Sequence, residues 1–245
     1  MPIILVNGEE LDCELLLFDV DGTLVDDDDR YRNLAAIRFS AIEARAGRRA
    51  AETWAPLGGY DPVFCSIDMA GPIAKAARRE DMAVAAAAIY TTGRSWHEAR
   101  SLAEVAYSEA DVVLMKSYTP HLFPGIEECL RKLKSAGFKL GIATNGPSRI
   151  TEELLTLLNI RDLFSVVVGS EDAVNPKPAP DLILAACEKA KTALLRTIYV
   201  GDQPVDAKAA ETAECGAALI VGNVNVMSSH RLYRIGSVAD IATYP

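Results

Sequence analysis

The chain predicts a doubly wound, parallel-sheet α/β core interrupted by an all-helical insert, and three observations carry that expectation. The run Leu15 to Val25, LLLFDVDGTLV, stops at Asp19 and Asp21 as a buried strand stops at the carboxyl edge of an open sheet. From about residue 115 onward, apolar runs of strand length alternate with helix-length segments, which implies βα units and a parallel sheet with helices on both faces. Between them lies a stretch rich in Ala, Arg and Glu, with helical periodicity at Leu34, Ile37, Phe39 and Ile42 and no strand pattern.

Taken in order, Ile3 to Val6 and then Asn7-Gly8 predict a short strand and a turn that lead as a hairpin into the strand ending at Asp19. The acidic run Asp26 to Asp29 reads as a solvated helix start, because carboxylates favour the positive amino end of a helix. The helical insert extends from about Asp27 to Lys116, with breaks near Gly47, from Gly58-Gly59 to Pro62, at Gly71-Pro72 and at Gly93. Pro124-Gly125 opens a helix that Gly137 ends, FKLGIAT is a strand, and Pro147 opens the next helix. SVVVG is a strand, Ala179 to Lys191 a helix, TIYVG a strand, Gln203 to Glu214 a helix and AALIVG the final strand.

Composition narrows the function. At 245 residues, half of them apolar, the chain holds one large domain or a core with a smaller inserted one. A formal charge of -9 argues against a nonspecific nucleic-acid binder, which must gather Lys and Arg to displace counterions. The five cysteines, Cys13, Cys65, Cys129, Cys187 and Cys215, are scattered and show no CxxC spacing, which suits free thiols in a reducing cytosol. The absence of a signal peptide and of any membrane-length apolar run completes the expectation of a soluble, cytoplasmic protein.

Residues i and i+2 of a straight strand share a face, so Asp19 and Asp21 can converge on one reacting group or one hard cation, with Gly22 turning the chain away. Paired acids at this spacing suit a nucleophile with an acid/base partner, or a Mg²⁺ site. A calcium loop would need further oxygen ligands, which Thr23, Val25 and Asp28 do not supply in pattern. Three later segments also place polar residues at the edge. Thr144-Asn145 precedes Gly146-Pro147 and a helix start, offering a hydroxyl and free N–H groups to a phosphate. NPKPAP sets Lys177 between prolines, and TIYVG is followed by Asp202 and, four residues on, Asp206.

FDVDGTLVD, LFPGIEECLRKLKSAGFKLGIATNG, NPKPAPD and YVGDQPVD, in that order, closely resemble the haloacid dehalogenase-like hydrolase superfamily over roughly residues 12 to 26 and 115 to 225. Roughly 90 residues separate Val25 from Tyr118 but only about 30 separate Asn145 from Lys177, so the insert resembles the helical cap of phosphoglycolate-phosphatase-like and phosphoglucomutase-like members. The resemblance implies a Rossmann-like catalytic core at 1–25 and 118–245 and a helical cap at 26–117, the cap closing over the site.

It further implies that Asp19 is the nucleophile and Asp21 the general acid and base. Thr144 and Asn145 would contact the transferring group, and Lys177 would neutralise Asp19 and the phosphoryl oxygens. Mg²⁺ would be held by Asp19, the Asp21 carbonyl and Asp202, with Asp206 orienting the metal shell or Lys177. The acid at position 21 favours phosphoryl transfer over dehalogenation. The expected activity is a Mg²⁺-dependent phosphatase acting on a small phosphorylated metabolite, with a phosphomutase or a non-catalytic binding protein as alternatives. A phosphonate hydrolase of the same family would need a cap lysine forming a Schiff base; Lys75 lies in the insert, where a lysine on a helix face is ordinarily solvent-exposed. A substrate clamp would come from among Arg38, Arg45, Arg48, Arg49, Arg78, Arg79 and Arg94, and Trp54, Trp96 and His97 are candidate pocket residues.

Overall fold

The computed structural model describes residues 2–26, 28–76, 78–117, 119–226 and 231–244. The chain divides into two compact units, one made of residues 1–26 with 120–245 and the other of residues 27–119. The expected boundary at 117/118 and the acidic residue Asp27 fall on or beside Tyr118 and Asp27, which lie outside the described residues.

Strand β1 (Ile3–Val6) turns at Asn7-Gly8 into β2 (Glu9–Asp12). Both turn residues have positive φ, 52° and 84°, the mirror-image turn that matches strand twist. The hairpin therefore forms within residues 3–12, with Val6 opposite Glu9. It does not pair with the strand that ends at Asp19, a correction to the sequence expectation. That strand is β3 (Leu15–Phe18), buried throughout.

The second unit begins with α1 (Asp28–Ala46), whose first turn carries Asp28 and Asp29. It continues through α2 (Arg48–Gly58), β4 (Tyr60–Asp61), β5 (Ser66–Ile67), α3 (Pro72–Lys75), α4 (Arg78–Tyr90) and α5 (Trp96–Ser117). Gly47, Gly59 and Gly93, at the expected breaks, all have positive φ. Leu34, Phe39, Ile42, Trp54, Ile89 and Tyr107 pack with a run of buried alanines whose small side chains let the helices approach. The two-residue ladder of β4 and β5 corrects the all-helical expectation. Asp61 Oδ1 accepts the N–H groups of Val63 and Phe64 and closes that hairpin locally, a side-chain turn without a hydrophobic pattern to announce it.

The first unit resumes with α6 (Ile126–Ser135), β6 (Lys139–Ala143), α7 (Ser148–Leu157), β7 (Val166–Val168) and α8 (Asp181–Ala190). It ends with β8 (Thr197–Gly201), α9 (Pro204–Thr212), β9 (Ala217–Val221), β10 (Leu232–Ile235) and β11 (Ala242–Thr243). β9 is thus not the last strand. β10 adds in parallel to the edge of the sheet, and its half-exposed LYRI lacks the apolar run that marks a central strand. β11 pairs with β1 in a separate three-stranded sheet.

The six-stranded sheet is parallel, in the order β10-β9-β8-β3-β6-β7. Alternation along β3 sends Leu16 and Phe18 to the face covered by Leu130, Leu133 and Phe164, and Leu15 and Leu17 to the face covered by Leu182, Ala186 and Ala209. β3 sits between β6 and β8, where the strand order reverses, so the ligand crevice is expected at its carboxyl end. No helix of the described residues is long and apolar enough to cross a membrane.

Candidate active site

Asp19 follows the last residue of β3, its N–H bonded to Val200 of β8 at 2.8 Å, so backbone pairing with the neighbouring strand fixes where its carboxylate begins. It is 7% exposed. The next residues wind tightly, the N–H groups of Thr23, Leu24 and Val25 all pointing to the Val20 carbonyl, with partly exposed Asp21 on this turn. Gly22 has φ +74°, and a Cβ there would lie 2.6 Å from Asp202 Oδ2. Only glycine allows the β3 turn and the Asp202 carboxylate to approach this closely. Thr23 Oγ1 donates to the other Asp202 oxygen at 3.1 Å.

Lys177 enters on the connection from β7 to β8. Its main chain is gripped by Asn145, whose Oδ1 accepts the Lys177 N–H at 2.8 Å and whose Nδ2 donates to the Lys177 carbonyl at 3.3 Å. The ammonium is buried. Nζ lies 2.7 Å from Asp206 Oδ1, 2.8 Å from the Tyr199 hydroxyl and 2.9 Å from Asp19 Oδ1. Burial alone would push this amine down, but the Asp19 and Asp206 carboxylates outweigh it and hold it above its ordinary value. Asp206, fully buried, is pushed up by desolvation, which Lys177 opposes and Asp19 adds to. Its second oxygen accepts the N–H groups of Asp202 and Gln203, which locks the start of α9. A Cβ on Gly201 would meet this carboxylate at 2.4 Å, so the strand tip must be bare for Asp206 to reach back.

Thr144 is buried just past β6, with its N–H on the Val168 carbonyl. Its hydroxyl oxygen accepts the Gly146 N–H at 3.2 Å, which leaves the hydroxyl proton available to donate. The N–H groups expected to be free at the start of α7 are partly occupied. Gly146 N–H points to Thr144, and Ser148 N–H donates to Glu171 Oε2 at 2.7 Å, a carboxylate drawn to the positive helix end. Asn145 likewise commits its side chain to the Lys177 main chain. Sequence reasoning overlooked Glu171 and Tyr199. For Tyr199 the available signal was a phenolic hydroxyl at the centre of a buried strand, since such a group requires a partner.

Asp19, Asp202 and Asp206 each present a carboxylate oxygen within 4.8 Å of the others. Lys177 answers two of these three acids, Asp19 and Asp206, so the cluster keeps an excess of negative charge. Three carboxylates facing one ammonium offer hard oxygen donors and excess negative charge, which fit a small divalent cation such as Mg²⁺.

A family model of haloacid dehalogenase-like hydrolases matches residues 13–214. The phosphoglycolate phosphatase of Escherichia coli (strain K12) is 39% identical over 94 residues, an alignment covering 38% of this chain and 37% of that protein. The chain thus spans little more than a third of that curated relative's length. Two solved structures share the fold. A HAD-superfamily hydrolase, subfamily IA, variant 1, from Geobacter sulfurreducens superposes with a TM-score of 0.64 at 21% identity, covering 93% of this chain and 94% of that one. CbbY from Rhodobacter sphaeroides, in complex with phosphate, superposes with a TM-score of 0.59 at 21% identity, covering 93% and 95%. Because the family match runs through every strand tip described above, from β3 to the start of α9, the chain belongs to the haloacid dehalogenase-like hydrolases.

Proposed function

We propose that this protein is a Mg²⁺-dependent phosphatase that hydrolyses a small phosphomonoester, such as phosphoglycolate or a sugar phosphate, through an aspartyl-phosphate on Asp19. The observation that carries the reading is the buried Asp19–Lys177–Asp206 cluster at the sheet's switch point, with the Asp202 carboxylate beside it. The curated relative's name and the phosphate in the CbbY structure support a phosphate ester as the substrate class.

In this reading Asp19 attacks phosphorus in line, forming the P–O bond to its carboxylate as the ester P–O bond breaks. Asp21 gives its proton to the departing alkoxide, then takes one from the water that cleaves the intermediate. The Thr144 hydroxyl donates to an equatorial phosphoryl oxygen. Lys177 neutralises Asp19 so that two anions can approach, and Asp206 fixes the lysine. Asp19, Asp202 and the Asp21 carbonyl would hold Mg²⁺, which when bound supplies positive charge to the phosphoryl oxygens. Residues 1–25 and 118–245 serve as the catalytic core, and 26–117 as a cap that governs substrate access. Five free thiols, four of them buried, suit work in a reducing cytoplasm.

Phosphate release from a panel of small phosphomonoesters, with Mg²⁺ and after chelation, tests the reading. The parent protein is expected to turn over in a metal-dependent way, and Asp19→Asn to lose about a thousandfold or more in kcat with an unchanged circular dichroism spectrum. A parent protein inert on the whole panel, or an Asp19→Asn variant as active as the parent, would refute it.

A further inference from the structure

An ammonium has three N–H groups in a tetrahedral array, so the partners that take two of them decide where the third points. In Lys177 two are engaged by hydrogen bonds, to Asp206 Oδ1 and to the Tyr199 hydroxyl, and the third neighbour is Asp19 Oδ1. Tyr199 is itself anchored. Its single hydroxyl proton faces the Ala143 carbonyl at 2.7 Å, against 3.4 Å to Asp206 Oδ1, so it donates to Ala143 and accepts from the lysine. Ala143 is the last residue of β6, immediately before Thr144. The ring is buried in β8 beside β3, and its centroid lies 5.4 Å from Nζ. Burial, with Asp206 and Asp19 adding to it, holds the phenol far above its usual range and keeps it protonated. Packing alone would be served by phenylalanine, since a buried hydroxyl brings a desolvation cost unless it is fully bonded.

We propose that Tyr199 is a positioning residue that, with Asp206, clamps the Lys177 ammonium so that its remaining N–H is turned on Asp19; the catalytic consequence rests on the phosphatase reading above. The hydroxyl ties the strand end that carries Thr144 to the lysine that serves Asp19. Tyr199 is fully buried and its hydroxyl is committed to Lys177 and Ala143, so its loss is expected in turnover and not in binding.

The test compares the full-length parent with Tyr199→Phe in three measurements. With Mg²⁺ and the best phosphomonoester of the panel, kcat should fall about tenfold, the size expected for one charged hydrogen bond. KM, and the affinity for inorganic phosphate by calorimetry, should stay within about twofold. Independently of any activity, the ¹⁵Nζ ammonium signal of Lys177, assigned by its loss in Lys177→Arg, should be sharp in the parent and broadened by water exchange in Tyr199→Phe. An unchanged kcat, an unchanged ¹⁵Nζ signal, or parallel losses in KM and phosphate affinity would overturn the proposal. Should Tyr199→Phe fail to fold, 3-fluorotyrosine at position 199 keeps the shape and weakens the hydroxyl as an acceptor. A smaller fall in kcat with KM unchanged then supports the clamp, and an unaltered kcat overturns it. A parent inactive on every ester refutes the phosphatase reading, while the ¹⁵Nζ comparison still decides the clamp.

Discussion

Gly22 shows how one absent side chain shapes the site. Its φ is +74°, and an added Cβ would lie only 2.6 Å from Asp202 Oδ2, so Gly22→Ala must either distort the turn or push the Asp202 carboxylate away. Mg²⁺ affinity, measured by calorimetry, is expected to fall about tenfold or more, comparable to losing a group that orients a ligand. Equal affinity in the variant would remove Asp202 from the proposed metal set. The cysteines behave differently according to depth. Burial pushes the Cys13 and Cys215 thiols up to about 12 and Cys129 up to about 11. The thiolate is the reactive form, so at pH 8 these groups stay protonated and inert, whereas Cys65 is exposed. Ellman's reagent should titrate one thiol in the native protein and five in denaturant. Two or more fast native thiols would contradict this.

Among the elements, the second unit is pinned by a polar knot linking four of its helices. Arg38 of α1 pairs with Asp81 of α4 and lies 4.2 Å over the Tyr107 ring of α5; Tyr107 donates to Asp81 Oδ1 and accepts from Trp54 Nε1 of α2. Burial raises Asp81 above its ordinary value, and Arg38 opposes the shift. Arg38→Ala leaves that acid buried without its cation, at a cost of about 3–5 kcal/mol by urea unfolding at neutral pH. A carboxyl whose folded pKa is raised favours folding most below its unfolded value, and that contribution is lost as pH rises through the folded one. Removing Arg38 raises it further, so the deficit of the variant should shrink from pH 7.5 to pH 5. A deficit that is the same at both would assign the loss to packing alone. The sequence had offered Arg38 and Trp54 as candidate clamp and pocket residues; the structure buries both in this knot. The helical periodicity at Leu34, Ile37, Phe39 and Ile42 was legible, but not the partner of Arg38, because Arg38 and Asp81 lie 43 residues apart.

Across the whole molecule, legibility follows locality. Strand tips are written in consecutive residues, so the apolar runs ending at Asp19, Thr144 and Asp202 could be read directly, and the structure gathers Asp19, Lys177, Asp202 and Asp206 at one edge. The sheet explains the gathering. β6 and β7 extend to one side of β3, and β8, β9 and β10 to the other, so the chain must cross between β7 and β8, and Lys177 lies on that crossing. The pairs Lys177–Asp19 and Lys177–Asp206 were expected only through the family motifs, and long-range contacts outside those motifs left no trace in the sequence. Asn145 grips Lys177 from 32 residues away, and Glu171 caps α7 from 23. The edge strand β10 escaped because its exposure removes the continuous apolar pattern of the central strands.

The small sheet has a bearing on synthesis. Ile4 pairs with Thr243, and Tyr244 N–H bonds the Ile3 carbonyl at 3.0 Å, so β1 waits for a partner that leaves the ribosome more than two hundred residues later. Until then the β1 edge of the hairpin is bare to other nascent chains, and closing so long a loop carries a large entropic cost. The register of this sheet is therefore expected to be set last, after the central strands have already enclosed Asp19.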